Sequence, residues 1–151
     1  MPARIRVFLD TSTLFAAVWS TTGGARSIFQ LAEAGTVEVL ISPQVLTEAE
    51  GALRRKAPDG LGLLALLLGD SRAEIVPSPS HDAVAKAQNL TGHAGDAQVL
   101  AAALGVQTDY FVTLDRQHFL DNLMLKDAMP FPVGTPGDFL SWFRDQLHPD
   151  A

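Results

Sequence analysis

The run Ile5-Arg6-Val7-Phe8-Leu9 ends on Asp10, and far along the chain Val112-Thr113-Leu114 ends on Asp115. A short β-branched and aromatic run of this kind predicts a strand buried on both faces, as in parallel sheets covered by helices. Each strand then delivers a carboxylate to its carboxyl end. Open α/β sheets take their ligands in the crevice outside those ends. Two strand-end aspartates are thus expected to share one site, and an acidic pair of this kind suggests a metal centre.

The rest of the chain alternates in the same way. Ala25 to Ala34 reads as a helix with Ile28, Phe29, Leu31 and Ala32 facing inward, and Gly35 as its stop. Val37 to Ile41 is the second strand. Ser42 and Pro43 form a strong helix start, the serine as N-cap and the proline at the first helical position. Val45, Leu46, Ala49 and Leu53 then recur at helical spacing. Pro58-Asp59-Gly60 breaks that helix before a Leu-rich one, and Glu74 to Pro77 reads as a short peripheral strand. Ser80 or Asp82 is expected to cap a helix from Ala83 to Leu90. A loop at Thr91 to Gly95 precedes a helix from Ala97 to Leu104, with Asp96 at its start. Tyr110 to Thr113 is a strand, Phe131 to Val133 a weak last one, and Pro136 to Gln146 a closing helix. Strands separated by helices require crossover connections. The expected fold is an α/β/α sandwich, with a central, mostly parallel sheet of about five strands, in one domain over residues 1–151.

Bulk properties narrow the function. Apolar residues make up 47% and charged ones 19% of 151 residues, a composition that supports a packed core and not disorder. The chain has no cysteine, which removes disulfides, thiolate metal sites and cysteine nucleophiles, and fits the reducing cytoplasm where the protein is expected to reside. No basic segment followed by a signal-type apolar core precedes the first strand, so no secretory signal is expected. The most apolar stretch, Leu61 to Leu68, is too short to span a bilayer. The net charge of −6 disfavours a passive nucleic-acid coat but suits a nuclease whose carboxylates hold cations, because the bound ion reverses the local field.

Four carboxylates stand out: Asp10, Glu48, Asp96 and Asp115. Each has an ordinary reading. Asp10 could simply cap a helix or turn, and Asp96 could be an N-cap. Glu48 could be a solvated helix residue, though its neighbour Glu50 suits that role better, and Asp115 could open a turn with Arg116. The combination favours a metal site, since carboxylate oxygens are the donors Mg²⁺ and Mn²⁺ prefer. Gathered carboxylates would otherwise repel one another.

In order and surroundings these four segments resemble the PIN-domain family of metal-dependent ribonucleases, in particular VapC-like toxins of prokaryotic toxin–antitoxin pairs. The resemblance covers almost the whole chain, and rests on Leu9-Asp10-Thr11-Ser12, Ile41 to Glu48, Asp96-Ala97 with its Ala-rich helix, and Val112 to Asp115. It implies a Mg²⁺ or Mn²⁺ centre held by Asp10, Glu48, Asp96 and Asp115, with Thr11, Ser12 and Thr113 orienting carboxylates or waters. It also implies RNA as substrate, products with 5′-phosphate and 3′-hydroxyl ends, and a cognate antitoxin. Asp96 or Glu48 is the candidate proton acceptor, a homodimer is expected, and no membrane partner is. The third motif, Gly92 to Asp96, departs from many relatives in offering one acidic residue instead of two.

Other features carry less. Arg116, beside Asp115, is the better candidate for substrate contact. Arg54, in Arg54-Arg55-Lys56, could follow an RNA backbone, although such a run commonly complements a helix C-terminus. The histidines, His81, His93, His118 and His148, form no zinc pattern, and His93 reads as a surface loop residue within reach of the site. Leu61 to Leu68, or the early helices carrying Phe15 and Trp19, are candidate dimer or antitoxin surfaces. Two competing readings are a catalytically silent PIN-like module that binds RNA or protein, and an Asp-based phosphatase. The phosphatase reading needs an acidic residue where Ser12 stands.

Overall fold

The computed structural model describes residues 4–148; positions 1–3 and 149–151 of the expected domain lie outside them. Its elements are β1 (Ile5–Leu9), α1 (Thr11–Trp19), α2 (Gly24–Glu33), β2 (Val37–Ile41), α3 (Pro43–Lys56), α4 (Gly60–Ser71) and β3 (Glu74–Ile75). There follow α5 (His81–Thr91), α6 (Ala94–Leu104), β4 (Tyr110–Val112), one π turn (Arg116–Leu120), α7 (Leu123–Ala128), β5 (Val133–Gly134) and α8 (Pro136–Leu147).

All five strands are parallel, in the order β3-β2-β1-β4-β5. β1 lies at the centre because both its faces are apolar, and Val7, Phe8 and Leu9 are fully buried. The chain winds outward from β1 through β2 to β3, then returns to start again at β4 on β1's other side. The strand order therefore reverses between β1 and β4, and a crevice opens where their carboxyl ends diverge. The amino ends are closed by Arg6, whose guanidinium reaches Glu38 at 2.7 Å and Glu74 at 3.2 Å. That ion-pair network ties β1 to β2 and β3.

Phe111 of β4 is the hub of the core on the other side of β1. Its ring stacks on Phe8 at 5.5 Å and meets Phe119 of the π turn at 5.2 Å. Burial of a phenylalanine contributes about 1.5–3 kcal/mol, so Phe119 anchors the turn that follows Asp115.

Several boundaries differ from expectation. The helix expected from Ala97 begins at Ala94, one turn earlier, because the His93 ring nitrogen Nδ1 accepts the Asp96 N–H at 3.4 Å and caps it. Asp96 therefore sits within the first turn and is not the cap. Ser80, not Asp82, caps α5. The last strand is displaced from Phe131–Val133 to Val133–Gly134. The Leu-rich α4 buries Leu64 and Leu67 against the core and leaves Leu66 exposed. Among the described residues, no helix is long and apolar enough to cross a membrane.

Candidate metal centre

Asp10 stands where β1 passes into α1 and is the N-cap of that helix, accepting the Thr13 N–H at 3.0 Å. The helix-cap reading and the site reading therefore coincide at this residue. Its carboxylate is buried and takes two further bonds, from the Ser12 hydroxyl at 2.7 Å and the Thr113 hydroxyl at 2.5 Å. Both hydroxyls also accept: Ser12 from the Leu114 N–H at 3.0 Å, Thr113 from the Asp115 N–H at 3.0 Å. Each thus bridges the end of β1 to the end of β4, and together they fix Asp10 and Asp115 in one frame. Burial pushes the Asp10 carboxyl above its ordinary range, and the bonds from Thr113, Ser12 and Thr13 pull it partly back.

Glu48 projects from α3, about one and a half turns beyond the start set by Ser42 and Pro43. It is exposed but held, accepting from the Thr11 hydroxyl at 2.8 Å and the Gln44 amide at 2.7 Å. Asp96 faces it from α6. Burial raises the Asp96 carboxyl; charge on His118 and His93 opposes the shift, and Asp115 and Glu48 add to it. The buried Oδ2 of Asp96 accepts no hydrogen bond, although His118 Nδ1 lies 3.3 Å away.

Asp115 caps the π turn. It accepts the His118 N–H at 3.0 Å, and its second oxygen lies 2.9 Å from His118 Nδ1. One ligand atom from each of Asp96, Asp115 and His118 lies within 4.8 Å of the others, so these three could hold a metal ion. Asp10 and Glu48 stand outside that set but line a cleft of about 440 Å³ together with Asp96 and Asp115. An orphaned buried carboxylate oxygen beside further carboxylates and an imidazole suits a divalent cation.

A sequence model of the PIN domain matches residues 6–117. The chain belongs to the PIN-domain family. Solved structures agree on the fold of this PIN domain. VapBC2 from Rickettsia felis, bound to a DNA fragment from its promoter, superposes with a TM-score of 0.63 at 16% identity, over 85% of this chain and 97% of that one. PAE2754 from Pyrobaculum aerophilum gives 0.62 at 17%, over 91% and 88%. VapC20 from Mycobacterium tuberculosis, a sarcin–ricin loop cleaving toxin, gives 0.52 at 17%, over 76% and 94%. No curated protein matches the chain.

The two arginines singled out for substrate contact lie elsewhere in this PIN domain. Arg116 points outward on the π turn and stands 3.8 Å from Asp121. Arg54 pairs with Glu50 at 3.7 Å and lines a separate groove with Leu46, Leu61 and Leu68. The physical reason is helical phase: Glu48 and Lys56 lie eight positions apart on one face of α3, whereas Arg54 shares the face of Glu50. Among the described residues that line the acidic cleft, Lys56 is the one lysine or arginine. His93 also lines the cleft, with its ring stacked on His118 at 5.1 Å.

Sequence reasoning passed over His118. The signal available was its place three residues after Asp115, beside the apolar Phe119.

Proposed function

We propose that this PIN domain is an endoribonuclease dependent on Mg²⁺ or Mn²⁺, and the toxin of a type II toxin–antitoxin pair. The observation that carries the reading is the gathering of Asp10, Glu48, Asp96 and Asp115 around one cleft at the β1–β4 switch point, with Asp96 Oδ2 buried and unpartnered. The toxin described for VapC20 supports the substrate class and the role.

A bound divalent ion would supply Lewis-acid stabilisation of phosphate charge and acidify water for in-line attack. The protein's own part is orientation. Ser12 and Thr113 fix the Asp10 carboxylate, while Thr11 and Gln44 fix Glu48. Glu48 or Asp96 would take the proton from attacking water. Lys56 stands at the cleft to meet a phosphate of the RNA chain, where unneutralised carboxylates would repel it.

The antitoxin and homodimer surfaces fall on α1 and α4, where Trp19 and Leu66 are exposed, Trp19 stacked on Phe15. Light scattering that finds only monomer at micromolar concentration removes the dimer from this reading.

Cleavage of single-stranded RNA tests the main reading. Wild-type protein should cut with Mg²⁺ or Mn²⁺ and stop on addition of EDTA. Asp96→Asn should lose more than about a hundredfold of the activity with its circular dichroism spectrum unchanged. Full activity in that variant would refute the assignment.

A further inference from the structure

We propose that His118 is itself a ligand of the divalent ion, through Nδ1, and that it biases the centre toward transition ions that accept imidazole nitrogen. The inference rests on the metal-centre reading given above and adds a donor of different chemistry to its carboxylates.

Three observations carry it. The first is the spacing of the donors. His118 Nδ1 lies 2.9 Å from Asp115 Oδ2 and 3.3 Å from Asp96 Oδ2. Ligands about 2.1 Å from a shared ion stand about 3.0 Å apart at a right angle and about 3.4 Å apart at the tetrahedral angle. The three atoms are already at the separations of neighbours on one ion. A hydrogen bond from His118 to Asp115 accounts for the shorter distance alone. It does not account for Asp96 Oδ2, which is buried, accepts no hydrogen bond and faces His118 Nδ1 at 3.3 Å and His93 Nδ1 at 3.4 Å.

The second is that the fold imposes the position. His118 sits in the single π turn of the described chain, capped at its start by Asp115 and anchored at Phe119, whose buried ring packs on Phe111. An i→i+5 turn is a costly way to leave a strand and is frequent at functional sites. Here it brings His118 back over the carboxylate that precedes it. The His93 ring, stacked on His118 with an interplanar angle of 18°, covers its outer face. His93 Nδ1 also lies 3.4 Å from Asp96 Oδ2, but it accepts the Asp96 N–H, and His118, not His93, also reaches Asp115.

The third is donor chemistry. An all-oxygen set suits Mg²⁺, whereas an imidazole nitrogen adds affinity for ions such as Co²⁺ and Zn²⁺, and Mn²⁺ tolerates it. His118 is thus a specificity-determining residue of the centre. Its contribution should be read from the ion selectivity it confers, and not from activity alone.

Ion binding by the full chain tests this. Protein labelled with ¹⁵N at histidine and loaded with Mn²⁺ should show hyperfine coupling to an imidazole nitrogen by pulsed electron paramagnetic resonance. The coupling should vanish in His118→Gln and persist in His93→Gln. By calorimetric titration, His118→Gln should lose about tenfold or more of its Co²⁺ affinity while Mg²⁺ affinity changes by less than about threefold. The wild-type and His93→Gln couplings are measured without His118→Gln, so a poorly folded His118→Gln does not stop the test. Bound Mn²⁺ without nitrogen coupling, or coupling that disappears in His93→Gln alone, overturns the role of His118 and leaves the carboxylate centre standing. Failure of wild-type protein to bind Mn²⁺, Co²⁺ or Mg²⁺ overturns both.

Discussion

Asp10 is a buried carboxylate with three hydrogen-bond donors, and burial outweighs them: its folded pKa is raised above the ordinary value of 3.8. The native state therefore holds that proton more tightly than the unfolded chain does. Its stabilising contribution is present below the unfolded pKa and is lost as pH rises through the folded one. Asp10→Asn keeps an N-cap of nearly equal quality and removes the titration, but its amide nitrogen cannot accept from the Thr113 hydroxyl as the carboxylate does. In EDTA, the unfolding temperature of wild type relative to Asp10→Asn should therefore rise as pH falls from neutral toward the carboxylate range, by about 2–4 °C per kcal/mol. Thermal melts at several pH values check this, and a gap between the two proteins that does not change with pH would contradict it. Asp10, Asp96 and Asp115 were readable because each ends a strand or opens a helix, and Glu48 because it follows the Ser42-Pro43 helix start. His118 was not, since its approach to Asp115 depends on a π turn, which leaves no periodic trace. The His93 cap was hidden for a similar reason, because imidazole is not among the usual N-cap side chains.

Among the elements, β5 is short but holds the site in place, because the Thr113 N–H donates to the Gly134 carbonyl at 2.9 Å. A methyl group at Gly134 would run into the Tyr110 hydroxyl and the Asp138 side chain. Tyr110 cannot swing aside, since its ring is wedged between Phe139 at 5.2 Å and Trp142 at 5.1 Å. Gly134→Ala should cost about 1–3 kcal/mol through overpacking. Gly62→Ala, on α4 with open space around it, should instead gain about 0.5–1 kcal/mol. Denaturant unfolding of the two variants should move in opposite directions, and an unchanged Gly134→Ala midpoint would contradict the packing account. Strong patterns made most elements legible: β2 and the start of α3 fall where Val37 to Ile41 and Ser42-Pro43 place them. The helix α1 was harder to delimit because it is apolar on several sides, with Leu14, Ala17 and Val18 buried and Trp19 exposed. α7, only six residues long, carries too little periodicity to be read.

At the scale of the whole molecule, the parallel order β3-β2-β1-β4-β5 is what turns four distant sequence segments into one cleft. Asp10 and Asp115 follow adjacent strands, while Glu48 and Asp96 arrive on helices from either side. This convergence was foreseeable from strand-end carboxylates and crossover connections. The detailed lining was not, because the phase of α3 puts Lys56, and not Arg54, at the cleft. On the proposed function a protein of net charge −6 meets a polyanion, and its cation is then part of the site. The end groups of the cleaved RNA test that claim most directly. With Mn²⁺ or Mg²⁺, mass spectrometry of the products should find 5′-phosphate and 3′-hydroxyl ends, and EDTA should leave the RNA intact. Products ending in 2′,3′-cyclic phosphate, formed equally well in EDTA, would contradict it.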